Sequence, residues 1–122
     1  MKKNILPILV LLIVSSCQKY TEPELEELGR GSEVYIANCI SCHGMKGNGL
    51  DGAYPSLIKS QITEVTTSKT FHLIQNGSGF ADGMKPIPLS QSEMKEVVNY
   101  IQNSWGNEAP FINDSQLKKH LN

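Results

Sequence analysis

Cysteine is scarce in this chain, with only Cys17, Cys39 and Cys42 among 122 residues. Basic residues show no excess either: Lys and Arg number 11 against 12 Asp and Glu, so nothing suggests a nucleic-acid binder. Aromatic side chains make up 7%, and a domain of about 80 residues buries only a marginal core. The glycine-rich stretch GMKGNGLDG at 44–52 lacks the GxxxxGK[ST] spacing of a phosphate-binding loop. No alternating run is long enough to argue a strand. The longest apolar run, residues 5–14, is too short for a membrane-spanning helix.

What is present begins with Cys39-Ile40-Ser41-Cys42-His43, a C-x-x-C-H pattern that reads as a site of covalent c-type haem attachment. Two thiols three positions apart can add across the two vinyl groups of one porphyrin. The neighbouring His then supplies an imidazole nitrogen to the iron. A thioredoxin-like dithiol would want a βαβ setting that is not visible here. A structural zinc site needs four ligands, and beyond these three only His72 and His120 remain as candidates. A buried, covalently held porphyrin also offers the apolar centre that the composition lacks.

The N-terminus is expected to lie outside the fold. Lys2 and Lys3 form a basic n-region, residues 5–14 an apolar h-region, and Val14-Ser15-Ser16 leads into Cys17. This pattern resembles a bacterial lipoprotein signal, with residues 1–16 removed and Cys17 carrying lipid. The alternative is an ordinary signal peptide with a leftover thiol. With Cys17 lipidated and Cys39 and Cys42 on haem, no thiol is left for a disulfide. The localisation that follows is the periplasmic or extracytoplasmic side of a membrane.

Residues 17–28 are expected to be a tether, because QKYTEPELEEL carries Glu22, Glu24, Glu26 and Glu27 around Pro23 and can bury little apolar surface. The domain is expected over 29–107, with a first helix from Glu33, capped by Ser32, to about Cys39. Gly31, Tyr35 and Cys39 share one face of it. A middle helix is predicted over 68–75, closed by Asn76-Gly77. Ser90-Gln91-Ser92-Glu93 fits a capping box, with Leu89 able to staple on Met94. Met94, Val97, Val98, Ile101 and Trp105 then recur at helical spacing up to Gly106. Residues 108–122 form a tail with one possible short helix over 115–121. The predicted fold class is all-α.

A haem iron used for electron transfer alone takes a second axial donor. Met94 is explained as a core residue, Met45 lies too near His43 in sequence, His120 falls in a polar tail, and His72 has the character of a surface residue. Met84 sits in a loop between helices, in GFADGMKP, with no helical face to join. A soft thioether donating to iron accounts for it, and a gap-filling core Met is the competing account.

Taken together, the motifs resemble a class I, mitochondrial-type c cytochrome of small bacterial type. The resemblance rests on G-x-x-x-Y-x-x-x-C-x-x-C-H-G at 31–44, P-x-L at 55–57, Met84 before a Pro, and the ending Y-I-x-N-S-W-G-N at 100–107. Lys85 intervenes between Met84 and Pro86, where the family often has Pro directly. The resemblance implies a single domain with helices wrapped around one haem c. It gives Cys39 and Cys42 as thioether links, His43 and Met84 as axial ligands, and Pro55 and Leu57 beside the haem. The Pro55 carbonyl would accept from the His43 ring. The implied function is a membrane-tethered single-haem electron carrier, not an enzyme, serving a terminal oxidase, a reductase or a quinol-oxidising complex. The alternatives are a haem subunit held permanently in an oxidase or nitrite reductase, and an open-site haem sensor or enzyme.

Overall fold

Thr21 opens the first helix. Its backbone N–H and its hydroxyl both donate to the Glu24 carboxylate, at 2.7 and 2.9 Å, the reciprocal half of a capping box. Helix α1 then runs Glu22–Asn38. The computed structural model describes residues 18–59 and 61–122. The expected leader 1–16 and Cys17 lie outside the described residues.

The early start of α1 corrects the expectation of a tether followed by a helix from Glu33. Pro23 sits in the first turn, where its missing N–H costs nothing, and Glu22 and Glu24 lie at the positive end of the helix dipole. The acidic segment is held by polar rather than apolar contacts. The Asn99 side chain donates to Glu27, and Lys95 lies 4.0 Å from the same carboxylate.

The chain breaks its first helix at Cys39 (φ −119°, ψ −28°) and makes one further turn, α2, Ile40–His43. Helix α3, Glu64–Asn76, starts earlier than expected because Thr63 caps it, accepting from the Thr66 N–H at 3.3 Å. It ends, as expected, before Gly77. Helix α4, Gln91–Gln102, has the Ser90–Glu93 capping box read from the sequence. It stops at Asn103 rather than Gly106. The Asn103 N–H turns back to the Tyr100 carbonyl at 3.2 Å, and its side chain donates to the Asn99 carbonyl at 3.1 Å. Trp105 therefore lies beyond the helix, at φ 55°. No strand occurs among the described residues, only a single bridge between Leu50 and Tyr54.

Helices α1 and α4 form the main crossing. Tyr35, Val97, Val98 and Ile101 are buried there, and the Tyr35 and Tyr100 rings sit 5.5 Å apart. Helix α3 packs on α4 and adds Phe71 and Ile74 to the core.

The tail carries the short helix expected there but is packed into the core. Helix α5, Asp114–Leu121, is capped by Asn113, and Ile112 and Leu117 are core residues rather than appendages. Fully buried Asn99 pins this segment. Its side-chain oxygen accepts from the Ile112 N–H at 2.8 Å, and its amide donates to the Ile112 carbonyl at 3.1 Å. His120 stacks on Phe71 with ring centroids 5.0 Å apart and bonds Ser68 at 2.8 Å.

Candidate haem site

The break at Cys39 sets the two thiols in different surroundings: Cys39 is buried beneath α1, and Cys42 is exposed on the added turn. Burial, reinforced by nearby Cys42, pushes the free Cys39 thiol up to about 11, so as a free thiol it would be a protonated, apolar group at neutral pH. Between and beyond them the turn is closed by the Cys39 carbonyl, which accepts from the His43 N–H at 2.9 Å.

His43 is fixed on three sides. Its Nδ1 lies 2.9 Å from the Pro55 carbonyl. A carbonyl can only accept, so Nδ1 carries the proton, and the neutral ring keeps a lone pair on Nε2. Nε2 has no hydrogen-bond partner among the described residues. The His43 carbonyl accepts from the Gly49 N–H at 2.8 Å. The following carbonyl, of Gly44, accepts from the Tyr35 hydroxyl at 2.7 Å. Burial first, with Cys39 and Tyr100 adding to it, pushes the Tyr35 phenol up to about 12, so it remains a donor across the physiological range.

Gly49 permits the Pro55 contact. It adopts φ +68°, and a methyl there would overlap the Tyr54 carbonyl and lie 2.7 Å from the Pro55 carbonyl. Only glycine fits both the left-handed backbone and the close approach.

Asn107 is a site-building residue whose role was not legible in the sequence. It is 1% exposed. Its amide donates to the carbonyls of Leu57 and Ile101 at 2.9 and 2.8 Å, and its oxygen accepts from the Lys59 N–H at 2.8 Å. The end of α4 thereby holds the segment that carries Pro55 and Leu57. Leu57 is half-buried against the core, with its N–H on the Gly47 carbonyl at 2.7 Å. Asn107→Ala would orphan two carbonyls and one N–H, and we expect a loss of about 3 kcal/mol. Thermal unfolding of the haem-loaded protein measures it, and a loss under about 1 kcal/mol would show that water replaces the amide.

Met84 lies on a separate loop and is half-buried against the core. Its carbonyl accepts from the Ser78 N–H at 2.8 Å, and the Ile87 N–H reaches the Ile74 carbonyl at 2.8 Å, so the loop is fastened to the end of α3. Cys39, Cys42, His43 and Pro55 thus lie together, and Leu57 and Met84 both pack against the core that includes Cys39. Met94, the competing methionine, is 5% exposed in the core. His72 is exposed and paired with Asn76. Among the described residues no three His, Cys, Asp or Glu side chains converge as a metal cage.

The donor set fits a covalently attached haem. It comprises two free thiols at C-x-x-C spacing, an oriented imidazole with an available Nε2, and a thioether on a braced loop. Large apolar side chains stand exposed on these same loops, with Leu50 at 60%, Ile58 at 43% and Phe80 at 77%.

Comparison with known proteins agrees with this chemistry. The family model described as cytochrome c oxidase, cbb3-type, subunit III matches residues 26–101. The cytochrome c subunit of a quinone-dependent alcohol dehydrogenase from Gluconobacter oxydans (strain 621H) is 32% identical over 73% of this chain and 21% of its own length. The cytochrome c subunit of gluconate 2-dehydrogenase from Pantoea cypripedii is 27% identical over 65% of this chain and 21% of its own. The chain thus spans about a fifth of the length of these curated relatives. The crystal structure of cytochrome cL from Hyphomicrobium denitrificans superposes with a TM-score of 0.54 and 26% identity, covering 80% of this chain and 62% of that one. With the matched stretch running through both the Cys39–His43 motif and the α1–α4 crossing, the chain belongs to the class I c-type cytochromes, and its cofactor is covalently bound haem c.

Proposed function

We propose that this cytochrome is a lipid-anchored, single-haem electron carrier in which Cys39 and Cys42 form the thioether links, His43 and Met84 ligate the iron, and Cys17 bears the lipid. The observation that carries the reading is the His43–Pro55 hydrogen bond, which holds the imidazole with Nε2 available. When bound, haem c supplies one-electron exchange between ferric and ferrous iron. The chain's own residues do the rest. The Pro55 carbonyl orients the ring and raises its basicity. Tyr35 and Asn107 brace the two segments that meet there. Apolar burial disfavours the extra positive charge of the ferric state, and thioether ligation acts in the same direction, so both raise the potential. Held by both His43 and Met84, the group would supply electron exchange alone.

Relatives that are cytochrome c subunits of quinone-dependent alcohol dehydrogenase and of gluconate 2-dehydrogenase support a donor or acceptor of the respiratory type: a dehydrogenase, a quinol-oxidising complex, a reductase or a terminal oxidase. The same observation favours a second reading, a haem subunit held permanently within such a complex. Co-purification separates the two, because a free shuttle is expected to leave its partner at moderate salt.

A redox titration on membranes tests the main reading. One single-electron wave per chain is expected, retained through salt washing in the wild type and released with an unchanged spectrum in Cys17→Ser. Several lipid chains anchor stably where one alone binds marginally, at ~0.8 kcal/mol per buried CH₂. Wild-type protein that washes off with salt would defeat the lipid anchor. Docking is expected to use exposed Lys46 and Lys85. Encounter steered by these charges slows steeply with ionic strength. A flat salt response, or no change on Lys85→Glu, would leave only an apolar contact around the haem.

A further inference from the structure

Order reaches much closer to Cys17 than a tethered domain requires. Gln18, the next residue, already donates from its side chain to Glu22 at 3.2 Å. The Lys19 ammonium pairs with Glu108 at 3.0 Å. Tyr20 packs edge-on against Phe111 with ring centroids 5.8 Å apart, and its hydroxyl reaches the Asn103 carbonyl at 3.4 Å. Thr21 then caps α1. The N-terminal residues are therefore clamped onto the 103–111 segment that follows α4, and α1 is clamped further along through Glu27, Asn99 and Lys95.

We propose that α1 is a rigid strut between the lipid anchor and the haem, and that the face bearing Tyr20, Pro110 and Phe111 rests on the membrane surface. The inference rests on lipidation of Cys17. Cys17 and Gln18 are joined by one peptide, about 3.8 Å between Cα atoms, so a lipid on Cys17 leaves almost no slack before folded structure begins. Helix α1 has 17 residues and is about 25 Å long at 1.5 Å per residue. Cys39 follows directly at its far end. The haem is then held at one distance from the anchored residue instead of sweeping through the volume that a flexible linker would allow. Half-buried Tyr20 and Phe111 with exposed Pro110 line one side of an open hollow that Lys19, Glu24, Asn103 and Glu108 complete. An apolar body with a polar rim, here Lys19 and Glu108, suits the bilayer interface. The partner selected by this geometry is a membrane-bound redox protein whose own cofactor lies at a matching height.

Hydrogen exchange on the haem-loaded protein tests the two parts separately. In soluble Cys17→Ser, amides of residues 25–28 should exchange at least ~100-fold slower than in a free chain. Faster exchange overturns the strut whether or not the wild type is lipidated. On vesicles of phosphatidylethanolamine and phosphatidylglycerol, the Ala109 and Phe111 amides of the wild type should slow by a further ~10-fold relative to the soluble variant. A Gly-Ser insertion of about ten residues between Cys17 and Gln18, with a reach of roughly 17 Å, should return them to the soluble rate while the protein stays on the vesicles. Unchanged rates on vesicles, or protection that survives the insertion, overturn the membrane-facing assignment. Wild-type protein that washes off with salt overturns the anchor and that assignment together, leaving the strut to be judged on the soluble variant.

Discussion

Met84→Ala is expected to turn a low-spin, ligand-closed iron into one that binds carbon monoxide and cyanide readily, while haem stays attached through Cys39 and Cys42. The Met84 loop is fastened by the bonds from Ser78 and Ile87, so truncating the side chain removes a donor without freeing the loop. The potential should fall by something on the order of 0.1 V, a fraction of the ~0.8 V range that axial ligands command. Met94→Leu is the control. Met94 is buried on α4, and a near volume-conserving swap there should cost less than about 1.5 kcal/mol and leave the iron spectrum alone. Absorption spectra with and without carbon monoxide separate the two variants. Wild-type protein that is high-spin, or that takes up carbon monoxide readily, would remove Met84 from the iron and favour an open-site sensor or enzyme.

Gly31→Ala is expected to be the most damaging small substitution in the scaffold. Propensity alone predicts a gain, since Ala is better than Gly inside a helix by roughly 1 kcal/mol. Packing opposes it. A methyl at Gly31 would overlap the Glu96 carbonyl oxygen and lie 2.7 Å from Tyr100 Cβ. A backbone carbonyl within α4 cannot swing aside, so α1 and α4 would have to part along their main crossing. Overpacking of this kind costs about 1–3 kcal/mol and occasionally more. Because α4 backbone is the obstacle, we expect the upper end and a net loss of about 2 kcal/mol after the propensity gain. For a domain of this size that lowers Tm by roughly 8–16 °C. Denaturant unfolding of the haem-loaded protein measures the sign directly. A more stable variant would mean that propensity wins and that the helices cross less closely.

The neighbouring Arg30 and Glu96 pair, 2.7 Å apart, does not alter this balance. Arg30 is about half exposed, and an ion pair with one solvated partner is screened by water and adds little. The steric term at Gly31 exceeds it.

How far the sequence reached depended on the range of the interaction. The C-x-x-C-H motif is covalently contiguous, so the chemistry of Cys39, Cys42 and His43 could be stated before any fold was known. Helix α4 was legible for the same reason: the Ser90–Glu93 box spans one turn, and Met94, Val97, Val98 and Ile101 repeat within three. The start of α1 was encoded just as locally, in Thr21-x-x-Glu24, but the acidic composition around Pro23 argued for a tether. Composition misled because burial there is polar, and the partners of Lys19 and Glu27 lie 89 and 72 residues away.

By itself, then, the sequence determined the cofactor chemistry, the all-α class and the helix with the clearest period, all of which depend on residues within a turn or two of one another. Only the tertiary structure decided why position 49 must be glycine for the Pro55 carbonyl to approach His43, and that Asn107 ties the Leu57 segment to α4. It likewise decided that residues 18–28 and 108–122 belong to the folded body. These contacts join segments distant in the chain. Their energy comes from buried polar groups finding partners, and the pairing follows from how the helices cross, which no local pattern records.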